Sequence, residues 1–280
     1  MSDHEEDPAY VLGRSGEEAR RLQARSAFFR PSTTRLFEDA GIGAGMRVLD
    51  LGCGAGDVSF LVADSVGKTG SVVGVDHNPD IVEVATVRAE AMGCPNVSFK
   101  VGDIRDVIID GDFDAVVGRF ILMYSMEPVA TLRSAVRFVR PGGVVAFHEV
   151  NVGASLWSYP RSALHQQLGY CVSEAFVRSG YDPATGSRLA EIFVAAGLAV
   201  PTMCTDALIG AGEEWTRRFA AAFGAGILRS VLPAILEYGV ATERELDLDT
   251  FDERYLAEIV ERRCVVQWFP LVGAWVHLPS

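Results

Sequence analysis

The sequence predicts an α/β fold built on a mostly parallel sheet. Three observations predict it. Short apolar strands alternate with helical segments between residues 46 and 150, the first strand runs into a turn with glycines at 52, 54 and 56, and the second strand ends on an acid, Asp76. In such sheets ligands gather at the C-terminal ends of the strands. At 280 residues the chain exceeds the common domain size, yet one domain with insertions is the simplest organisation.

Residues 17 to 37 predict one or two helices interrupted by Pro31, and with the preceding tail they form an N-terminal cap, 1 to 40. The core spans 46 to 150. Its helix from Asp57 stops at Gly67, and the next opens with Asn78 as N-cap and Pro79 at the first helical position and stops at Gly93. Strands follow at 97 to 101, 113 to 118 and 144 to 149, with a helix over 128 to 139. Beyond the fifth strand, Leu164, Leu168, Val172 and Phe176 recur at intervals of four, so 155 to 180 reads as a helical insertion. A core helix over 187 to 196 and a strand over 198 to 208 come next. A second helical insertion, 213 to 262, contains the capping-box spacing Thr250 to Glu253. The apolar run from Val265 to Trp275 closes the chain as a last strand, within 264 to 277.

The glycine turn is the functional signal. Glycines at 52, 54 and 56 remove the Cβ atoms that would keep a ligand off the backbone. A dinucleotide fingerprint needs its third glycine where Asp57 stands, and that acid is poorly placed beside a pyrophosphate. The ligand is therefore less anionic than NAD. A short-chain reductase is excluded further, because no tyrosine has a lysine four residues later.

The run Asp50-Leu-Gly-Cys-Gly-Ala-Gly56, the ribose-type acid Asp76 and Gly102-Asp103-Ile104, in this order, resemble the class I S-adenosylmethionine-dependent methyltransferases. The nearer likeness is to their bacterial small-molecule branch, menaquinone-type and natural-product enzymes. The resemblance implies a Rossmann-like, seven-stranded sheet with an antiparallel last strand and both insertions forming a lid. It also implies site roles. Asp50 and the backbone of Gly52, Cys53 and Gly54 hold the methionine end of S-adenosylmethionine. Asp76 holds the ribose, with His77 beside the adenosine. Asp103 takes the adenine amino group, and Ile104 offers its N–H to the ring. Arg119 ends the fourth strand where the donor's amino group is reached, and a surface ion pair is the other reading of it. Tyr10 is the lid contact, or an anchor for the N-terminal segment.

Methyl transfer demands alignment first, and a base only where the nucleophile holds its proton. His148 and Glu149 lie at the end of the fifth strand on opposite faces, and His165 lies on the first insertion. These three and Tyr124 are the candidate proton acceptors. Trp157, Tyr159, Tyr170 and Tyr181 suggest an aromatic-rich pocket, and packing of the insertion against the sheet is the other reading of them. There is no Asn-Pro-Pro-Tyr after strand four, and Cys94-Pro95 reverses the order a cytosine methylase needs. A small-molecule acceptor remains. A non-methylating S-adenosylmethionine-binding protein, a cyclase or regulator on the same fold, is the alternative.

Composition agrees. A net charge of −12 disfavours nucleic acid. Five scattered cysteines read as reduced and give no metal-ligand spacing. The acidic segment from Asp3 to Asp7 is unlike a signal peptide, and no apolar run is long enough to span a membrane. The expectation is a cytoplasmic monomer or homodimer that needs no metal.

Overall fold

The computed structural model describes residues 16–109, 111–153 and 156–280, with side chains from residue 25 onward. The chain divides into two compact units. One comprises residues 29–151, 181–207 and 270–280, and the other the stretch up to Phe28 with 152–180 and 208–269.

Helix α1, Gly16–Asp39, continues through Pro31 rather than breaking there. Proline removes one helical N–H, and the helix continues past it on the bonds of its flanking turns. Then come β1 (Arg47–Leu51), α2 (Asp57–Val66), β2 (Ser71–Asp76), α3 (Pro79–Met92), β3 (Val97–Val101) and β4 (Phe113–Arg119). A 3-10 turn at Leu122–Tyr124 precedes α4 (Pro128–Val136) and β5 (Val139–Val150). Asn78 caps α3 through its side chain, with Pro79 at the first position and left-handed Gly93 at the end, as expected. Next are β6 (Trp157–Tyr159), α5 (Ala163–Arg178), α6 (Leu189–Ala195), β7 (Thr202–Asp206), β8 (Ile209–Ala211), α7 (Glu213–Phe223) and α8 (Ala225–Glu237). The chain ends with α9 (Glu243–Leu246), α10 (Phe251–Glu261), β9 (Val265–Gln267) and β10 (Leu271–His277).

The larger unit holds a seven-stranded sheet in the order β3-β2-β1-β4-β5-β10-β7, parallel except for β10. Strand alternation sorts its core into two layers. Val48, Val72, Val117, Val144 and Ala146 pack with Leu36 and Phe37 of α1 and Leu61 and Val62 of α2. Leu49, Leu51, Val116, Val145 and Phe147 pack with Leu132 of α4 and Ile192 and Phe193 of α6 on the other face. Asp50, Arg119 and His148 fall on the α1 and α2 side, and Glu149 on the other.

The second unit departs from the sequence reading. Residues 157–159 form a strand, not the start of a helix, and β6, β9 and β8 make a three-stranded antiparallel sheet. The expected last strand is therefore two strands, divided at Pro270, with only β10 in the main sheet. Of the expected strand over 198 to 208 only Thr202–Asp206 is extended, as β7, and β8 follows beyond it in the small sheet. Within Glu213–Glu237 an 18-residue window reaches a mean hydropathy of 1.8, but 67% of that window is buried and the stretch is broken at Gly224 into α7 and α8. Its Phe219 and Phe223 stack on Tyr255 and Trp268 as the core of this unit. The capping box belongs to Thr242 and Glu245 at the start of α9. Thr250 shares the spacing but has ψ near 0°, and its hydroxyl binds Asp247 instead.

Candidate functional site

The site is built at the C-terminal ends of β1, β2 and β4. All three turn glycines have positive φ: 58° at Gly52, 52° at Gly54 and 87° at Gly56. Their surroundings differ. A Cβ on Gly52 would stand 1.8 Å from Ile121 Cδ1, whereas one on Gly54 would meet nothing within 4 Å. The turn is thus closed by Ile121 at one end and open at Gly54, the form of a cradle.

Asp76 ties the cradle to β2. Its Oδ2 accepts the Gly54 N–H at 3.0 Å and its Oδ1 the Asn78 N–H at 3.0 Å, with His77 Nδ1 at 3.5 Å. Asp103 is embraced by Arg105, whose Nε donates at 2.9 Å and Nη2 at 2.5 Å. The guanidinium hydrogen bond holds the Asp103 carboxyl below the usual range, and His77 adds a smaller pull in the same direction. Asp76, His77 and Asp103 therefore share one neighbourhood. The Ile104 side chain packs against the α4 and α6 layer of the core. Cys53 is buried within the turn, and burial pushes its thiol pKa up, so it is inert.

Beneath the turn lies Asp50, 1% exposed. The Ser59 hydroxyl donates to its Oδ2 at 2.6 Å, while its Oδ1 is buried without a partner. Burial pushes its pKa up to about 7, against the lowering effects of Ser59 and Arg119. A buried carboxylate oxygen left unpaired costs free energy of about 1–3 kcal/mol, and an N–H⁺ donor recovers it. S-adenosylmethionine, the cofactor that this turn implies, carries such a group on its methionine end. The open cradle at Gly54, the orphaned oxygen of Asp50 and the acid at the end of β2 fit it.

On the next two strands, Arg119 of β4 and His148 of β5 are register partners. Thr33 of α1 joins them. Its Oγ1 accepts from Arg119 Nη1 at 3.3 Å, stands 3.2 Å from His148 Nδ1 and donates to the Phe29 carbonyl. With its proton given to Phe29, the hydroxyl acts as acceptor for His148, which puts the ring proton on Nδ1 and the lone pair on Nε2. Burial and then Arg119 push the His148 pKa down to about 3. Arg119 also lies over the rings of Phe29 and Phe120 at 5.9 and 5.6 Å, so it is not simply a surface ion pair.

The other proton-acceptor candidates are engaged. Glu149 is fully buried and accepts the N–H groups of Ile121, Leu122 and Met123 at 3.0, 2.9 and 3.3 Å. Burial raises its pKa to about 7 despite those three bonds. His165 is a joint of the smaller unit. Its Nδ1 is 2.9 Å from Tyr255 Oη and its Nε2 3.0 Å from the Gln267 carbonyl, which fixes the proton on Nε2 and uses both nitrogens. Tyr124 stands edge-on to Tyr181 at 5.9 Å. Trp157 and Tyr159 project from the small sheet and Tyr170 is exposed on α5, while Tyr181 belongs to the other unit. Tyr10 lies outside the described residues.

Four contributors carried no sequence signal: Ser59 under Asp50, Thr33 beside His148, Ile121 over Gly52, and Arg88. Arg88 donates to the Ala55 carbonyl and, at 2.9 Å, to Asp57, pinning the turn from α3. Each acts across more than eight residues of sequence, so no local spacing marks it.

A methyltransferase domain model matches residues 42–197. The chain is 30% identical over 211 residues to an arsenite methyltransferase of Aquipseudomonas alcaligenes, covering 70% of this chain and 59% of that one. It is 30% identical over 188 residues to the nocamycin O-methyltransferase of Saccharothrix syringae, covering 66% and 65%. The chain thus spans less than two thirds of either relative. A solved structure from Bacillus halodurans shares the fold at 18% identity, with a TM-score of 0.59 over 89% of this chain and all of that one.

Proposed function

From a chain that belongs to the methyltransferase domain family, we propose transfer of a methyl group from S-adenosylmethionine to an O, N or C atom of a small organic acceptor, in secondary metabolism. The observation that carries the reading is the orphaned Oδ1 of buried Asp50 beneath a glycine cradle open at Gly54. When bound, S-adenosylmethionine supplies an electrophilic methyl on a positively charged sulfur. Asp50 and the backbone of Gly52, Cys53 and Gly54 hold the methionine end. Asp76 and His77 hold the ribose and its surroundings, and Asp103 and Ile104 the adenine. Arg119 cannot favour an ammonium, so its partner is the carboxylate of the same amino-acid group, with Asp50 taking the ammonium.

The proton-acceptor geometry narrows the acceptor. His165 and Glu149 have their polar atoms committed, and His148 keeps the Nε2 lone pair but is a weak base at a pKa near 3. General-base catalysis works best with a pKa near the working pH. The reading therefore favours an acceptor that is nucleophilic at neutral pH without such help: a carboxylate, an acidic phenol or enol, or an amine. Arsenite, the acceptor in one relative's name, is thiophilic, and here Cys171 on α5, Cys204 on β7 and the loop residues Cys53, Cys94 and Cys264 are free thiols well separated in sequence. We place the chain in the cytoplasm as a monomer or homodimer, on the support of its unpaired thiols and acidic charge.

Calorimetry with S-adenosylhomocysteine and NAD tests the cofactor, with binding of the first and not the second expected. Incubation with labelled donor and a panel of carboxylates, phenols, amines and alcohols tests the acceptor. Turnover confined to aliphatic alcohols would overturn the proton argument.

A further inference from the structure

The buried carboxylate of Glu149 does something other than accept a proton. The N–H groups of Ile121, Leu122 and Met123 open a three-residue turn and have no partner within it. Glu149 gathers all three from the next strand. Immediately before them, Phe120 takes a left-handed φ of 60° and gives its N–H to the His148 carbonyl at 2.9 Å. The consequence is the position of one side chain: Ile121 seats on the bare Cα of Gly52, where even a methyl group would overlap it.

We propose that Glu149 is a positioning residue for the methyl donor, acting as a latch that holds Ile121 across Gly52 and so sets the wall of the cradle at its methionine end. The proposal rests on the donor reading above. It explains why a carboxylate, costly to bury, stands on a strand otherwise lined there by Val145 and Phe147. Once ionised, above its raised pKa, the carboxylate has lone pairs for three donors and an amide of the same shape does not, so the two are compared at about pH 9. The amide NH₂ faces an N–H, so at least one donor is left unpaired and the turn shifts. The effect is confined to ligands that reach past Gly52 toward Ile121.

Two ligands separate this from general damage: S-adenosylhomocysteine, which carries the amino-acid end, and 5′-methylthioadenosine, which lacks it. In Glu149→Gln we expect the affinity for the first to fall about 10-fold, the usual effect of losing one hydrogen bond to a charged group, with the second unchanged. Ile121→Ala leaves the Glu149 bonds in place and removes only the wall, so it should reproduce the same selective loss. It also keeps the test open should Glu149→Gln fail to fold. Equal losses for both ligands, or no loss for either, in a folded variant would overturn the latch. A wild-type chain that binds neither ligand overturns the donor reading instead, and the latch with it.

Discussion

Thr33 Oγ1 lies 3.2 Å from His148 Nδ1, joining α1 to the end of β5 within the buried layer beneath Arg119. The bond places the ring proton on Nδ1, while burial and Arg119 keep the imidazole neutral. Thr33→Val keeps the shape and removes the acceptor of the buried His148 Nδ1–H, so we expect a loss of about 1–3 kcal/mol in urea unfolding. Because the folded His148 pKa is lowered to about 3, the unfolded chain binds more protons between about pH 3 and 6.5. Stability therefore falls as pH drops through that window. His148→Gln should flatten this acid limb. An unchanged pH profile would mean that His148 is not held neutral by burial.

Both oxygens of Asp76 already hold backbone N–H groups, at Gly54 and Asn78, so it shapes the turn whether or not a ligand is bound. On the proposed reading, Asp76→Ala removes the acceptors for both ribose hydroxyls as well as loosening the turn. Donor binding should weaken by about 2–4 kcal/mol, at roughly 1.5–3 kcal/mol for each charge-assisted bond with allowance for non-additivity. Calorimetry with S-adenosylhomocysteine checks it, and full affinity in a folded variant removes Asp76 from the site.

His165 and Tyr255 join α5 to α10 through a 2.9 Å bond inside the smaller unit. A cycle of His165→Phe, Tyr255→Phe and the double variant should give a coupling of about 0.5–3 kcal/mol in stability. Turnover per folded molecule should stay within about twofold of wild type, far from the 10²-fold or greater effect of losing a general base. A drop of that larger size in His165→Phe would return this histidine to the chemistry.

What could be read from the sequence was whatever has local periodicity. The glycine turn, Asp76 at a strand end and the Asn78-Pro79 cap each specify backbone conformation within a few residues, and each stands where expected. Choices between equivalent local patterns could not be read. Thr242 and Thr250 both begin a Thr-x-x-Glu run, and only the first has the extended backbone a cap requires. The small sheet was hidden because its strands are three residues long, too short for alternation to register. The roles of His165 and Glu149 were hidden for another reason. A histidine on a helix or a glutamate at a strand end has the same spacing whether it faces a ligand or a neighbouring polar group, and only tertiary contacts separate the two.

Asp50 yields a prediction in which binding and protonation are linked. In the free protein burial raises its pKa to about 7, so near pH 6.5 a large part of the population is protonated. The folded state then binds more protons than the unfolded state between about pH 4 and 7, and the Asp50 contribution to stability falls as pH rises through that window. A ligand ammonium placed on Oδ1 reverses the preference, because it favours the carboxylate. Binding of S-adenosylhomocysteine should therefore release a proton near pH 6.5. Its affinity should weaken as pH falls below about 7, approaching tenfold per unit once Asp50 is mostly protonated. Calorimetry in buffers of different ionisation enthalpy reads the proton directly. Asp50→Asn has nothing to release, so it should bind more weakly at pH 8 and show little pH dependence from 6 to 8. Equal proton release by wild type and Asp50→Asn would assign the linkage to another group and leave the orphaned oxygen without a ligand.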